Sequence, residues 1–420
     1  MNQFPLSEGD RRAYTANIWK FYLFRWLVNF QLWLPIWVIY LSDYRGLSLT
    51  EITVLDAVFW IFLVLMEVPT GAIADRYGRK TSLMIGAFAN AIAIGVFAVG
   101  DSYTVILASY VAWGIAWTLF SGADSAFFYD SLRALGREAD YQKLYGRCFA
   151  IQQTGALGGI LLGAPLAAWT SLPTPVLLSG VLMAGAWFVS LSFREPPRHD
   201  DTNAAPLGYI AGVRQATSIV WNTPAIRYFM LLAATLVAVG MCISILTQPF
   251  LSSHSVNVAH FGWYLVPGNL LGMAAAFWAY RVTSRFGVNR VMAVLPLIVI
   301  STSVGLGAFD SLYAFVFIPL SGVVYSFSFP VVSDYLNKRI PSGQRATILS
   351  FYQLLFSLML APLEPLLGWV ADEAGLQAAY RLAAVIVAIA AAPLLALWLR
   401  AIRTELSRAA LVIPEPAAGA

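Results

Sequence analysis

The stretch Gly71–Leu83, GAIADRYGRKTSL, places Asp75, Arg76, Arg79 and Lys80 around Gly78, and a long apolar run stands on either side of it. About 20 apolar residues in a helix cross roughly 30 Å of hydrocarbon, so a short charged turn between two such runs reads as a connection between membrane-spanning helices. Composition agrees. Apolar residues make up 59% of the 420 and charged residues 11%, with a mean hydropathy of +0.70. Soluble domains carry about 25% charged residues, so most of this surface does not face water.

Working outward from the turn, twelve apolar runs are long enough to span. They cover approximately 18–42, 50–74, 82–100, 103–129, 147–169, 174–193, 225–250, 261–281, 291–309, 312–333, 346–370 and 377–399. The expected fold is all-α and integral to the membrane. SLTE, Ser48–Glu51, reads as a capping box that opens the second helix. Residues Met1–Asn17 are polar and the first apolar run is long, so no cleavable signal peptide is expected.

The basic residues are distributed unevenly. They cluster in the N-terminal arm, the even-numbered connections and the tail; on the other side stand Arg45 and, near a helix start, Arg381. By the positive-inside rule this asymmetry puts both termini in the cytoplasm, and an even helix count agrees. The longest break holds REPPRHDD (Arg194–Asp201) and LGYIAGVRQATSIVW (Leu207–Trp221), the latter a short interfacial helix by pattern. The expected domains are a six-helix half over 1–193, a linker over 194–224, a second half over 225–400 and a tail over 401–420.

The halves echo each other. DRYGRKTSLMIG after the second run is answered by SRFGVNRVMAVL after the eighth, with Arg76 and Gly78 each 209 residues before Arg285 and Gly287. Asp130 after the fourth run is answered by Asp334 after the tenth. A repeat of half the chain is a transporter signature, with the substrate site expected between the halves near mid-membrane.

On these residues the chain resembles the major facilitator superfamily over essentially its whole length. GAIADRYGRK matches that superfamily's loop motif between the second and third helices, Gly-x-Leu-x-Asp-Arg-x-Gly-Arg-Lys, with Ile73 in place of Leu. EVPTG (Glu67–Gly71) and SGADSAFFYDSL in the fourth helix look like bacterial drug-efflux-like members. The resemblance implies a cytoplasmic latch built from Gly71, Asp75, Arg76, Gly78, Arg79, Lys80 and Asp130. In it Gly71 allows a close helix approach, Gly78 permits the reversal, Asp75 faces a helix N-terminus of the other half, and Arg79 bridges to Asp130. The second half has Ser284 where Asp75 stands, so its own latch is expected to be weaker. The alternative is that these charges only fix topology. Two departures weaken the antiporter pattern: the fourth helix has no Arg-x-x-Gln-Gly, and Ala164 separates Gly163 from Pro165 in the fifth.

Ionisable groups inside spanning helices are costly, which makes each a functional candidate. Arg25 lies about two turns from the cytoplasmic end of the first helix, with Asn29 on the same face. Trp113, Trp117, Phe120 and Asp124 share helical spacing, suiting either a lipophilic cation or plain packing. Asp56, Trp60, Leu63 and Glu67 form one face, and Gln353, Ser357, Leu360 and Glu364 another. Proton-coupling candidates are Glu67, Asp56, Asp124 and Glu364, with a solvated outer vestibule or structural hydrogen bonding as the bland alternatives. Arg25 and Asp124, at matching depth, are expected to pair. Substrate-cavity candidates are Arg25, Asn29, Trp113, Trp117, Asp124, Gln248, Asn269, Tyr325, Tyr352 and Gln353.

Cys148 and Cys242 read as buried thiols, and His199, His254 and His260 have no metal-ligand spacing. No cofactor, metal or nucleotide loop is expected; GALGG sits inside a membrane helix. The expected function is secondary active transport by alternating access, with proton-coupled efflux of lipophilic or amphipathic small molecules placed first. Proton-coupled uptake of a nutrient or chelate, lipid transport, and a non-transporting receptor are the alternatives. The partners are a small-molecule substrate, protons and the bilayer, with no nucleic acid; the protein is read as a multi-pass monomer of the plasma (inner) membrane and not an enzyme.

Overall fold

The computed structural model describes residues 7–197, 209–340 and 344–412. The linker stretch 198–208, with Arg198 and His199, and the tail end 413–420 lie outside the described residues. In chain order the helices are α1 (Glu8–Asn29), α2 (Trp37–Ile39), α3 (Leu49–Tyr77), α4 (Arg79–Val99), α5 (Tyr103–Thr118), α6 (Ala123–Ala134), α7 (Tyr141–Trp169) and α8 (Pro173–Leu191). They continue as α9 (Tyr209–Asn222), α10 (Pro224–Ile245), α11 (Thr247–Ser253), α12 (Phe261–Phe286), α13 (Val288–Ala308), α14 (Ile318–Asn337), α15 (Arg345–Ala374) and α16 (Leu376–Val412). The described residues hold no strand.

Among the described residues nine helical segments are long and apolar enough to cross a membrane. The other three of the twelve runs fall on α1, α7 and α12, which are helical but more polar. α1 carries Lys20 and Arg25, and α7 carries Arg147, Gln152 and Gln153. The capping box is formed: Ser48 accepts from the Glu51 N–H, and the Glu51 carboxylate accepts from the Ser48 N–H.

Two runs expected to be continuous are interrupted. The first stops at Asn29 and resumes at Trp37, across a stretch containing Pro35. Proline has no N–H to donate and disfavours helix in the residue before it. The fourth stops at Thr118 and resumes at Ala123, with Gly122 at φ 72°, a left-handed conformation that costs glycine little. Trp113 and Trp117 therefore sit on one helix, Phe120 in the turn and Asp124 on the next, rather than on a single stripe.

The chain divides into two compact units, Met1–Pro206 with Gln248–Pro267, and Leu207–Thr247 with Gly268–Ala420. In the first, α4 packs on α8 and α5, α1 on α7, α8 and α6, and α3 on α5. In the second, α13 packs on α16 and α14, and α10 on α15, α16 and α14. The partnerships α4·α8, α1·α7 and α1·α8 thus recur as α13·α16, α10·α15 and α10·α16. Each unit repeats one helical plan, as the echoed sequence requires.

Within the first unit α1 and α7 approach backbone to backbone. A Cβ on Gly155 would lie 2.8 Å from the Trp26 carbonyl oxygen, and just past α1 one on Gly159 would lie 2.7 Å from that of Gln31. Membrane helices gain packing by such contacts where small residues replace side chains. The broken backbone after α1 is stitched by Gln248, whose amide donates to the Leu34 carbonyl at 3.0 Å and accepts from the Val38 N–H at 2.9 Å.

Candidate functional site

The α1–α7 seam brings a charged group into the first unit. One Nη of Arg25 donates to Asp124 Oδ2 at 2.7 Å, while Nε and the other Nη donate to Gln152 Oε1 at 3.1 and 2.6 Å. The side chains of Arg25 and Asp124 are 17% and 15% exposed, so the pair is largely withdrawn from solvent. Asp124 Oδ1 also accepts from the Ser125 N–H at the start of α6. A carboxylate in the first turn of a helix is further stabilised by the helix dipole. Three elements, α1, α6 and α7, hold this site. Asn29 does not join it: its amide donates to the Arg25 backbone carbonyl at 2.8 Å and fastens the end of α1.

Sequence reasoning misses Gln152, although a glutamine pair interrupting an apolar run is a readable signal. Aromatic rings crowd nearby, with Tyr141, Tyr145 and Phe128 stacked or tilted at 5.2–6.2 Å. Of the expected aromatic wall, Trp113 is buried against Trp33 at 4.7 Å and Phe59 at 5.4 Å, which is core packing. Phe120 packs edge-on against Phe24 and Trp117, and only Trp117 remains half-buried.

At the charged end of the same unit, Arg79 pairs with Asp130 and donates to the Ala126 carbonyl. Glu195, just after α8, is a second residue that sequence reasoning misses. Its two carboxylate oxygens accept from the N–H groups of Arg79 and Lys80, each at 2.8 Å, capping α4. Gly78 turns the chain into that helix at φ 105°, and a Cβ there would lie 2.7 Å from a Glu195 oxygen. Asn17, fully buried, holds the same segment after α8 by donating to the Arg194 carbonyl and accepting from its N–H. Asp75 and Arg76 are exposed, with the Arg76 guanidinium over the Tyr77 ring. Gly71 lies on α3 seven residues before Gly78. Within the first unit nothing described lies within 4 Å of a Cβ there.

The Trp60 indole N–H donates to Asp56 at 3.1 Å, and Glu67 is half-buried on α3. Glu364 is fully buried on α15, between Pro362 and Pro365, so a solvated vestibule does not describe it. Ser357 and Leu360 on its face are also buried, whereas Gln353 is exposed.

Gln248 is consumed by the backbone break described above. Asn269 and Tyr325 are exposed. Tyr352 is buried and, with Gln353, Ser333 and Phe329, borders a cavity of about 150 Å³ between α14 and α15. In the second unit's charged corner Asp334 pairs with Lys338 one turn away at 2.6 Å, because the position matching Arg79 is Val288. Both cysteines are buried thiols.

A bundle of long apolar helices in two repeated units, with a buried ion pair in one, defines a polytopic membrane transporter fold. The sequence profile of the Major Facilitator Superfamily matches residues 21–363, and the chain belongs to that superfamily. It is a secondary transporter. It is 22% identical over 326 residues to the MFS-type transporter YxaM of Bacillus subtilis (strain 168), covering 75% of this chain and 79% of that protein. It is 26% identical over 296 residues to the riboflavin transporter RfnT of Brucella anthropi, covering 66% and 69% respectively. The crystal structure of a point mutant of the nucleoside transporter NupG superposes with a TM-score of 0.77 at 15% identity, over 90% of this chain and 99% of that one.

Proposed function

We propose that this protein exports lipophilic or amphipathic small molecules in exchange for protons, by alternating access of its two six-helix halves. The observation that carries the reading is the buried Arg25–Asp124–Gln152 group. An isolated arginine in a membrane interior is costly, and here Asp124 and Gln152 offset that cost. A proton on Asp124, or a cationic substrate beside it, weakens the hold on Arg25 and so shifts which side of the transporter is open. Glu67, Asp56 and Glu364 are further candidate proton carriers, and Trp117 is the half-buried ring of the expected aromatic wall.

The corner formed by Arg79, Asp130, Glu195 and Gly78 supports a latch at the cytoplasmic face, with Asp75, Arg76 and Lys80 as its remaining charges. The basic connections support a plasma-membrane protein with both termini inside. We take it to act as a monomer.

A second reading, uptake of a nutrient, is favoured by the similarity to a riboflavin transporter. Purified protein in proteoliposomes with an imposed pH gradient separates the two. Substrate moving against the proton flux supports export by antiport. Substrate moving with it replaces that reading by symport. Asp124→Asn, which keeps size and hydrogen bonding but cannot titrate, is expected to lose gradient-driven movement while keeping downhill exchange.

A further inference from the structure

A groove in the second unit has no role in the reading above. It is a cavity of about 440 Å³ between the end of α12, the first half of α13 and the N-terminal half of α14, bordered by Phe286, Arg290, Val294, Ile298, Val323 and Phe327. Apart from Arg290 these residues are apolar, and Phe286 and Val294 are about half exposed. Beside the groove, α12 and α14 meet closely. A Cβ on Gly322 would lie 2.7 Å from the Gly268 carbonyl oxygen, and one on Gly272 2.6 Å from Ser326 Oγ. That contact lies ten residues or more before Val282 on α12. From Arg290 to Ile298, at 1.5 Å per residue, the groove follows α13 for about 12 Å.

Its charge is one-sided. Arg290 stands at the end, and the Arg285 guanidinium lies 5.6 Å over the Phe286 ring that forms one wall. No Asp or Glu occurs between Arg281 and Ile298. Among the described residues no ion pair or hydrogen bond engages Arg290. An apolar channel along a membrane helix, ending at two arginines where the helix leaves the hydrocarbon, matches a lipid tail below an anionic headgroup.

We propose that this groove binds one anionic phospholipid, with an acyl chain against Val294, Ile298 and Phe327 and its phosphate at Arg290 and Arg285. The site is independent of the transported substrate and of the direction of transport. It survives failure of the export reading.

Native mass spectrometry of the full chain in detergent, with phosphatidylglycerol or phosphatidylcholine of matched chains, tests it. Wild type should retain phosphatidylglycerol about fivefold better, the contribution of roughly one basic residue near a lipid surface. Arg290→Ala should bring the two lipids near parity, while Arg403→Ala on α16 should leave the preference intact. Val294→Trp should displace both lipids, with thermal unfolding reporting that the variant is folded. No preference in wild type, a preference unchanged in Arg290→Ala, or an equal loss in Arg403→Ala would each overturn the proposal. Arg290→Ala alone decides the matter if Val294→Trp does not fold.

Discussion

Arg25 contributes no stability by itself; it is stabilised by what meets it. A guanidinium with 17% exposure needs acceptors for its donors, and Asp124 and Gln152 supply them from α6 and α7. Removing one member of such a pair leaves the other buried and uncompensated, at a cost of about 3–5 kcal/mol. Arg25→Ala and Asp124→Ala should therefore each destabilise strongly, and the double variant by clearly less than their sum. A double-mutant cycle on thermal or chemical unfolding in detergent measures this coupling. Additive losses would mean that the two charges do not support each other. The pairing is foreseeable because both residues lie at one depth in their spans. Gln152 is not, since an uncharged amide on a helix has many uses and only the α1–α7 contact selects this one.

The elements show where a hydrophobic run and a helix part company. The first run contains Pro35, and its broken backbone presents a carbonyl at Leu34 and a buried N–H at Val38 that Gln248 satisfies. Gln248→Leu fills the space but leaves both groups unsatisfied, which should cost about 1–3 kcal/mol, read as a lower unfolding midpoint. A functional cavity role for Gln248 instead predicts normal stability with altered substrate affinity. At the start of α4 the Glu195 carboxylate takes two N–H groups left open by the helix. Glu195→Ala should cost about 1 kcal/mol, whereas Glu195→Gln should retain part of the cap. Equal effects of the two substitutions would show that the carboxylate's charge and acceptors are not what matters.

At the scale of the whole molecule, one plan is used twice with different charges. The first unit's corner joins α4 to α6 through Arg79 and Asp130. In the second unit Val288 and Ser284 stand at the matching positions of Arg79 and Asp75, and Asp334 turns to Lys338 on its own helix. A pair within one helix ties nothing together. Asp130→Asn is therefore expected to change the balance of inward- and outward-open states and slow turnover, and Asp334→Asn to do neither. Labelling of single introduced cysteines from both sides of the membrane reads the balance. Equal responses of the two variants would remove the asymmetry from the mechanism.

The sequence by itself determined the class, the repeat and the positions of the charges. Long apolar runs have few physical solutions in hydrocarbon, because every backbone group must be bonded within the segment. The loop motif and the echo at 209 residues then defined the superfamily fold. Tertiary structure decided which polar groups meet. The run 103–129 is apolar throughout, yet Gly122 breaks it and moves Asp124 onto a separate helix whose first turn supports the carboxylate. Glu195 gave no periodic signal, since it lies outside any helix and acts on one starting 116 residues earlier. Glu364, Tyr325 and Asn269 look alike as polar residues in apolar runs, but the first is buried and the others exposed. Hydropathy records that a residue is inside the membrane; only the packing of neighbouring helices fixes whether it faces a partner, a cavity or lipid.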